Sequence, residues 1–405
     1  MKKIMAAVCA ASFTVLLAVL LAAAVHEYRE IVTVPAVWEA AADETKPGEN
    51  GRKETEIKET EIKDNGISEA ETNGAGMQET ETSVPAVILE VTAKADVLLA
   101  GDICIQDYIA GYYDDQGIGR LVTEDLKKTM LEADIMMANE EFAFSERGTP
   151  MEDKQYTFRI APRYTAIFTE LGIDIVSLAN NHALDFGAEA LMDSCLALEE
   201  AGIRYVGAGE NRERAKKLEI IEADGLKIGF LAASRVIPVT DWNAGKNSPG
   251  MLTTYDPSEL IEEIEKGKGT CDALIVYVHW GEERMEFPEE YQKTMARQYI
   301  DAGADAVIGA HPHVMQGLEY YKGKLIAYSL GNYIFSPRTG DGAMLRLTFE
   351  KGGKQQAQLV PFDASAFPVA MMEKEKQREF FDYMESISFG ISIDEAGRIC
   401  YTDGN

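Results

Sequence analysis

The chain has 405 residues and five histidines. Four of them, His182, His279, His311 and His313, stand in short polar clusters with carboxylates and carboxamides. The clusters are Gly101-Asp102, Asn139-Glu140-Glu141, Asn180-Asn181-His182 with Asp185 close behind, His279-Trp280-Gly281-Glu282-Glu283, His311-Pro312-His313 and Gly331-Asn332. One histidine in such a place is ordinarily a hydrogen-bonded polar residue. Four, accompanied by Asp102, Glu141 and Asn181, point to a single site. Imidazole with carboxylate and amide oxygens suits a divalent transition metal, manganese, zinc or iron, as one or two ions. Pro312 breaks regular structure, so His311 and His313 can turn both rings into one cavity from a loop. Asn181 and His182 are adjacent, so their side chains diverge, one toward a metal and the other toward substrate. His182 is then a candidate general acid, with Asp185 near enough in sequence to orient its ring. Taken singly, Asp102, Asn180-Asn181 and Glu282-Glu283 would be turn formers or solvated charges. No P-loop, no Gly-x-Gly-x-x-Gly and no Gly-x-Ser-x-Gly occurs at a useful position, which sets aside P-loop, Rossmann and serine-hydrolase chemistry.

Each cluster follows a short apolar run. Strands are expected over 96–100, 135–138, 173–178, 227–232, 273–278, 306–308, 324–328 and 343–349. Between them, amphipathic helices are expected over 121–132, 162–171, 188–201, 257–266 and 288–302. The alternation predicts an α/β domain with much parallel pairing. Open α/β sheets build their sites at the carboxyl ends of strands, so clusters far apart in sequence can converge. Gly309 and Ala310 allow close approach of the histidine loop. Residues 350–405 are less regular, with a helix expected over 374–386 and an end that frays.

The termini and the charge set the compartment. Ile4 to Val25 is an uncharged run of 22 residues after Lys2 and Lys3. As a helix it is roughly 33 Å long, enough for a hydrocarbon core of about 30 Å. The two lysines orient it with the remainder outside. A cleaved signal peptide is the rival, through Ala22-x-Ala24, but the run is long for one. Residues 26–92 hold 16 acids and 6 bases and include the tandem repeat Glu54-Thr-Glu-Ile-Lys58, Glu59-Thr-Glu-Ile-Lys63. Such a segment buries too little apolar surface to offset the entropy of ordering, and is expected to be a disordered linker. Residues 93–405 hold 52 acids and 31 bases, a net −21. That excludes nucleic acid as a partner, because phosphate binding needs clustered Lys and Arg. Five cysteines without a Cys-x-x-Cys do not make a disulfide framework.

The segments LLAGD (98–102), MMANEE (136–141), SLANNHALDFG (177–187), YVHWGEE (277–283), GADAVIGAHPHVMQG (303–317) and AYSLGNYIF (327–335) together resemble the bacterial CapA family of capsule and poly-γ-glutamate synthesis proteins. The resemblance covers roughly residues 95–363. It implies a fold similar to calcineurin-like metallophosphoesterases, a four-layer αββα sandwich over 93–365 with a C-terminal extension over 366–405. It implies Asp102 as the first-strand metal carboxylate and Glu141 as a bridging carboxylate supported by Asn139. Asn181, His279, His311 and His313 become further ligands, and His182 the general acid. Trp280, Glu283 and Asn332 belong to motifs particular to the family and are expected to shape a substrate pocket with Asn139. Two departures stand out. Phosphoesterases carry Asp-x-His where this chain has Asp102-x-Cys104, so the thiol is either a substitute ligand or a core residue. Glu140 replaces an apolar residue, as an outward neighbour or an extra ligand. The expected function is a membrane-anchored, extracytoplasmic protein of capsule or polyglutamate biosynthesis with a metal-dependent site, partnered by the cell membrane and an anionic polymer or its synthesis machinery. The alternatives are hydrolysis of an envelope phosphoester and a non-catalytic assembly subunit.

Overall fold

A computed structural model describes residues 93–336 and 339–402. The expected span 4–25 and the linker lie outside them. Among the described residues no helix is long and apolar enough to cross a membrane.

Two mixed sheets carry the fold. The first is built on β1 (Lys94–Ile103), β2 (Ile135–Glu140), β3 (Ile175–Ser177) and β4 (Arg204–Val206), all parallel. The second is built on β5 (Glu219–Ala223), β6 (Leu226–Ser234), β7 (Ala273–His279), β8 (Ala306–Ala310), β9 (Leu318–Tyr321) and β10 (Lys324–Ala327), in the order β9-β10-β8-β7-β6-β5. Its four central strands are parallel, and β5 and β9 are antiparallel edges. The first sheet continues past β1 with β11 (Gly340–Glu350), β12 (Lys354–Ala364) and β13 (Ala370–Met371), each antiparallel to its neighbour.

Period-two alternation in the second sheet divides its side chains between two cores. Leu274, Val276 and Val278 of β7 pack with Leu260 and Ile264 of α5 (Ser258–Gly267) and with Met295, Ala296 and Tyr299 of α6 (Glu290–Ala302). Ile275 and Tyr277 join the core of the first sheet instead. To that core α2 (Glu124–Leu131), α3 (Thr165–Glu170) and α4 (Gly187–Glu200) add Leu126, Met130, Ile167, Phe168, Leu191 and Leu198. Strand β1 is buried at every position from Val97 to Ile103, as a strand covered on both faces must be. The Tyr277 hydroxyl, fully buried, donates to the Ala100 carbonyl at 2.8 Å and ties the two sheets together.

The expected strands and amphipathic helices form, with ends shifted by a few residues. Residues 350–402 are more regular than expected. Strand β12 pairs with β11 along its whole length across a turn at Gly352 and Gly353, both at positive φ. Its polar run Gln355-Gln356-Ala357-Gln358 hides the alternation. Helix α7 (Lys374–Ile387) buries Phe380, Phe381 and Met384 in the main core. Helix α1 (Asp107–Gln116) was also illegible: its Tyr-rich, Gly111-containing sequence has poor helix propensity, and packing of Ile109 and Ala110 supplies what propensity lacks.

Candidate metal and acid–base centre

The clusters meet because every parallel strand delivers its carboxyl end to the same side. Asp102 lies at the end of β1. The segment after β10 runs alongside: Asp102 N donates to Gly331 O at 2.8 Å, and Tyr333 N donates to Asp102 O at 2.9 Å. This approach requires glycine, since a Cβ on Gly101 would lie 1.9 Å from Gly331 O. Gly309 meets the same condition against Tyr328 O, again at 1.9 Å. Gly101 therefore serves a close backbone contact.

Asp102, Glu141 and His279 are fully buried. Their ligand atoms form one group within 4.8 Å, and those of Glu141, His311 and His313 form a second, so Glu141 belongs to both. His313 Nδ1 is 3.4 Å from Asp102 Oδ2, and its Nε2 is 3.8 Å from Glu141 Oε1. His279 Nε2 lies 3.8 Å from Glu141 Oε1 and 2.7 Å from Asn181 Oδ1. His311 presents its backbone N–H to Asp102 Oδ2 at 3.1 Å. His311 and His313 adopt φ of 95° and 58°, a left-handed backbone on each side of Pro312. Non-glycine residues hold that conformation only where surrounding structure imposes it.

Carboxamides align the ligand atoms. Asn139 donates through Nδ2 to Asp102 Oδ1 at 2.8 Å, with Glu141 Oε2 at 3.5 Å. Asn180 donates to Asn139 Oδ1 at 3.1 Å and to the Glu140 carbonyl at 2.7 Å, while its Oδ1 accepts from His182 N. Asn332 Oδ1 stands 2.9 Å from His313 Nδ1, orienting that ring, and Asn332 and His313 together line a small cavity of about 120 Å³. Trp280 and Glu283 are not brought in. Trp280 follows His279 and faces the opposite side of the sheet, fully buried, with Nε1 donating to Tyr328 O and its ring stacked on Tyr299. Glu283 is exposed in the following loop. Glu140 follows the same parity. It is buried on the far side of β2 toward Ser194, and burial pushes its carboxyl well above the ordinary range. Cys104 is buried and belongs to neither ligand group, and burial pushes its thiol up.

His182 and Asp185 form a pair, with Nδ1 2.6 Å from Oδ2. Asp185 Oδ2 also accepts from Phe158 N at 2.8 Å. The sequence offered no signal for Lys154, which lies in a charged loop. Its ammonium donates to Asp185 Oδ1 and to the Asn181 carbonyl, stands 3.1 Å from His182 Nδ1, and lies 5.1 Å from the Trp242 ring. Burial, with Lys154 and His313 adding to it, outweighs Asp185 and holds His182 below the usual histidine range. The resting ring is neutral, and with Nδ1 committed to Asp185 the nitrogen left for proton transfer is Nε2.

Burial and then Asp102 push Glu141 well above the ordinary carboxyl range. Burial and then His313 hold His311 down at about 4. Burial would also depress His313, but Glu141 and Asp102 outweigh it and push this ring up to about 10. Of the twelve buried side-chain polar atoms without a hydrogen-bond partner among the described residues, two belong to the ligand groups, Glu141 Oε1 and His311 Nδ1. Buried polar atoms are almost always paired. Orphans on a carboxylate and an imidazole, amid further imidazoles and carboxamides, fit a divalent transition metal.

The family model for bacterial capsule synthesis proteins (PGA_cap) matches residues 96–337. The capsule biosynthesis protein CapA of Bacillus anthracis is 31% identical over 300 residues, 71% of this chain and 71% of that protein. The PGA biosynthesis protein CapA of Bacillus subtilis is 29% identical over 296 residues, 71% of this chain and 77% of that protein. Among solved structures, one described as a novel phosphatase from Mycoplasma pneumoniae aligns with a TM-score of 0.42 at 12% identity, over 67% of this chain and 95% of that one.

Proposed function

The chain belongs to the bacterial capsule synthesis protein family, and from that membership we propose that it serves capsule or poly-γ-glutamate biosynthesis through a metal-dependent site. We place that site outside the cell, held at the membrane by residues 4–25. The observation that carries the metal is the pair of orphaned buried acceptors on Glu141 and His311. Asp102, Glu141, Asn181, His279, His311 and His313 would hold one or two ions, with Glu141 common to both ligand groups. A bound divalent ion supplies Lewis-acid polarisation of a carbonyl or phosphoryl oxygen. The remaining work belongs to the chain. Asn139 and Asn332 fix the orientation of Asp102, Glu141 and His313 through the hydrogen bonds above. His182 takes and returns a proton at Nε2. Asp185 holds the proton on Nδ1, and Lys154 balances the charge of Asp185.

Metal analysis of the purified full chain tests this. It is expected to carry manganese, zinc or iron, with His311→Ala and His313→Ala each lowering occupancy. Unchanged metal content in the double variant overturns the ligand assignment. Turnover of a generic aryl phosphate by the loaded protein would favour phosphoester hydrolysis over action on the polymer itself.

A further inference from the structure

A groove of about 960 Å³ is lined by the segment after β6 and by residues 251–259. One wall is the segment after β6, including Ile237 and Val239. This segment leads into Trp242, whose ring faces Lys154. The lining also includes Tyr255, which is 59% exposed. An exposed tyrosine is ordinarily free to turn, but this one is held. The Arg235 guanidinium lies 4.5 Å from its ring centroid and 5.1 Å from that of Tyr291. Arg235 Nη1 donates to the carbonyls of Thr254 and Tyr255, both at 3.1 Å. The same residue reaches the metal site, because Arg235 N donates to His279 O at 2.7 Å and the Tyr291 hydroxyl accepts from Gly281 N at 2.7 Å. One residue thus fixes both the ring in the groove and the backbone of a candidate ligand.

The charge of the groove excludes one class of occupant. Its lining carries Arg212 against Asp256 and Glu259. Arg212 is already paired with Glu259 at 3.5 Å, so among the described residues the lining of the groove offers no unpaired cation. A polyanion would meet net repulsion there. What remains is a fixed aromatic face, apolar walls, the Thr240 hydroxyl and the Asp256 and Glu259 carboxylates, since the Thr253 hydroxyl donates to Asn243 Oδ1 and Asn243 Nδ2 donates to the Thr240 carbonyl. A pyranose ring matches this, with an apolar C–H face for the aromatic ring and a rim of hydroxyls for the carboxylates and the Thr240 hydroxyl. A ring already held in place loses little entropy on binding. We propose that the groove is a subsite for a neutral glycan chain, with one sugar ring stacked on Tyr255. The proposal does not depend on the metal-dependent reading of the neighbouring centre.

The test is calorimetric titration of the full chain with three probes: a β-1,4-linked N-acetylglucosamine tetramer, a γ-linked glutamate oligomer and a neutral alanine peptide. The sugar tetramer is expected to bind saturably and the other two not. Tyr255→Ala should weaken it about tenfold or more, the loss expected of an aromatic anchor, whereas Tyr255→Phe keeps the ring face and retains affinity. Val239→Glu, at another lining position, should weaken it as well. Metal content, measured in parallel, should be unchanged in all three variants. No saturable binding of the tetramer, preference for the glutamate oligomer or the peptide, or equal affinity in Tyr255→Ala each overturns the proposal. Failure of the metal reading would appear separately, as an unloaded protein that still binds the sugar.

Discussion

Metal binding at His313 has to displace a proton. Burial alone would keep this ring neutral, but Glu141 and Asp102 outweigh it and push its pKa up to about 10. At neutral pH the metal-free ring is therefore charged, and a charged imidazole cannot ligate. Loading at pH 7 should release about one proton per site from His313, read by calorimetry in buffers of different ionisation enthalpy. Affinity should rise with pH up to about 10, since His313 deprotonates over that range. His313→Asn should lower the release, with any remainder coming from Glu141, whose carboxyl is also pushed up by burial and Asp102, and an unchanged proton count would show that His313 is not a source. His182 predicts the opposite pattern. Held neutral by burial and paired with Asp185, it is not among the proposed ligands. His182→Asn should leave metal content and thermal stability near those of the parent while turnover falls by roughly 10²–10⁴, the usual loss for a proton-transfer group. Loss of metal would make His182 a ligand.

Strand ends set the reach of each side chain. Along β7 and its neighbours the alternation sends His279 to the site and Trp280 to the helix-side core, and along β2 it separates Glu141 from Glu140. A strand can deliver its end to the cluster only where backbones come close. Gly309 packs so tightly that a Cβ would lie 1.9 Å from Tyr328 O and 2.5 Å from Trp280 Nε1. Gly309→Ala must move β8 or the Trp280 ring. It should cost about 1–3 kcal/mol, the usual range for overpacking. The His311-Pro312-His313 loop continues from β8, so metal occupancy should fall with the melting temperature. A variant that melts like the parent and keeps its metal would show that the strand has room the packing denies.

The whole molecule carries the compartment. A net −21 over residues 93–405 repels an anionic membrane surface, so under the membrane location we propose, the anchor would be the apolar run at 4–25. External protease on intact cells should cut within 26–92 and release a soluble domain of compact, protease-resistant fold. Full protection of the domain would place it inside the cell. Metal at the centre would also supply positive charge to an acidic surface, which is how such a domain could meet an anionic polymer.

Residue order by itself determined the chemistry available and its rough placement. Four histidines with Asp102, Glu141 and Asn181 each follow an apolar run, and a run followed by a polar cluster is legible because alternation and strand ends are local properties. The family resemblance was equally legible, since it rests on consecutive residues. Tertiary structure decided the rest. Lys154 joins Asp185 and His182 from a loop about thirty residues upstream, where nothing in its neighbours marks it. The left-handed backbone at His311 and His313 follows from packing, not from their side chains. Strand order decided which of two adjacent residues, His279 or Trp280, faces the site, because parity assigns opposite faces but not which face is covered by helices. The polar strand β12 was hidden for the same reason: its pairing with β11 is satisfied by backbone hydrogen bonds, which leave no mark on side-chain type.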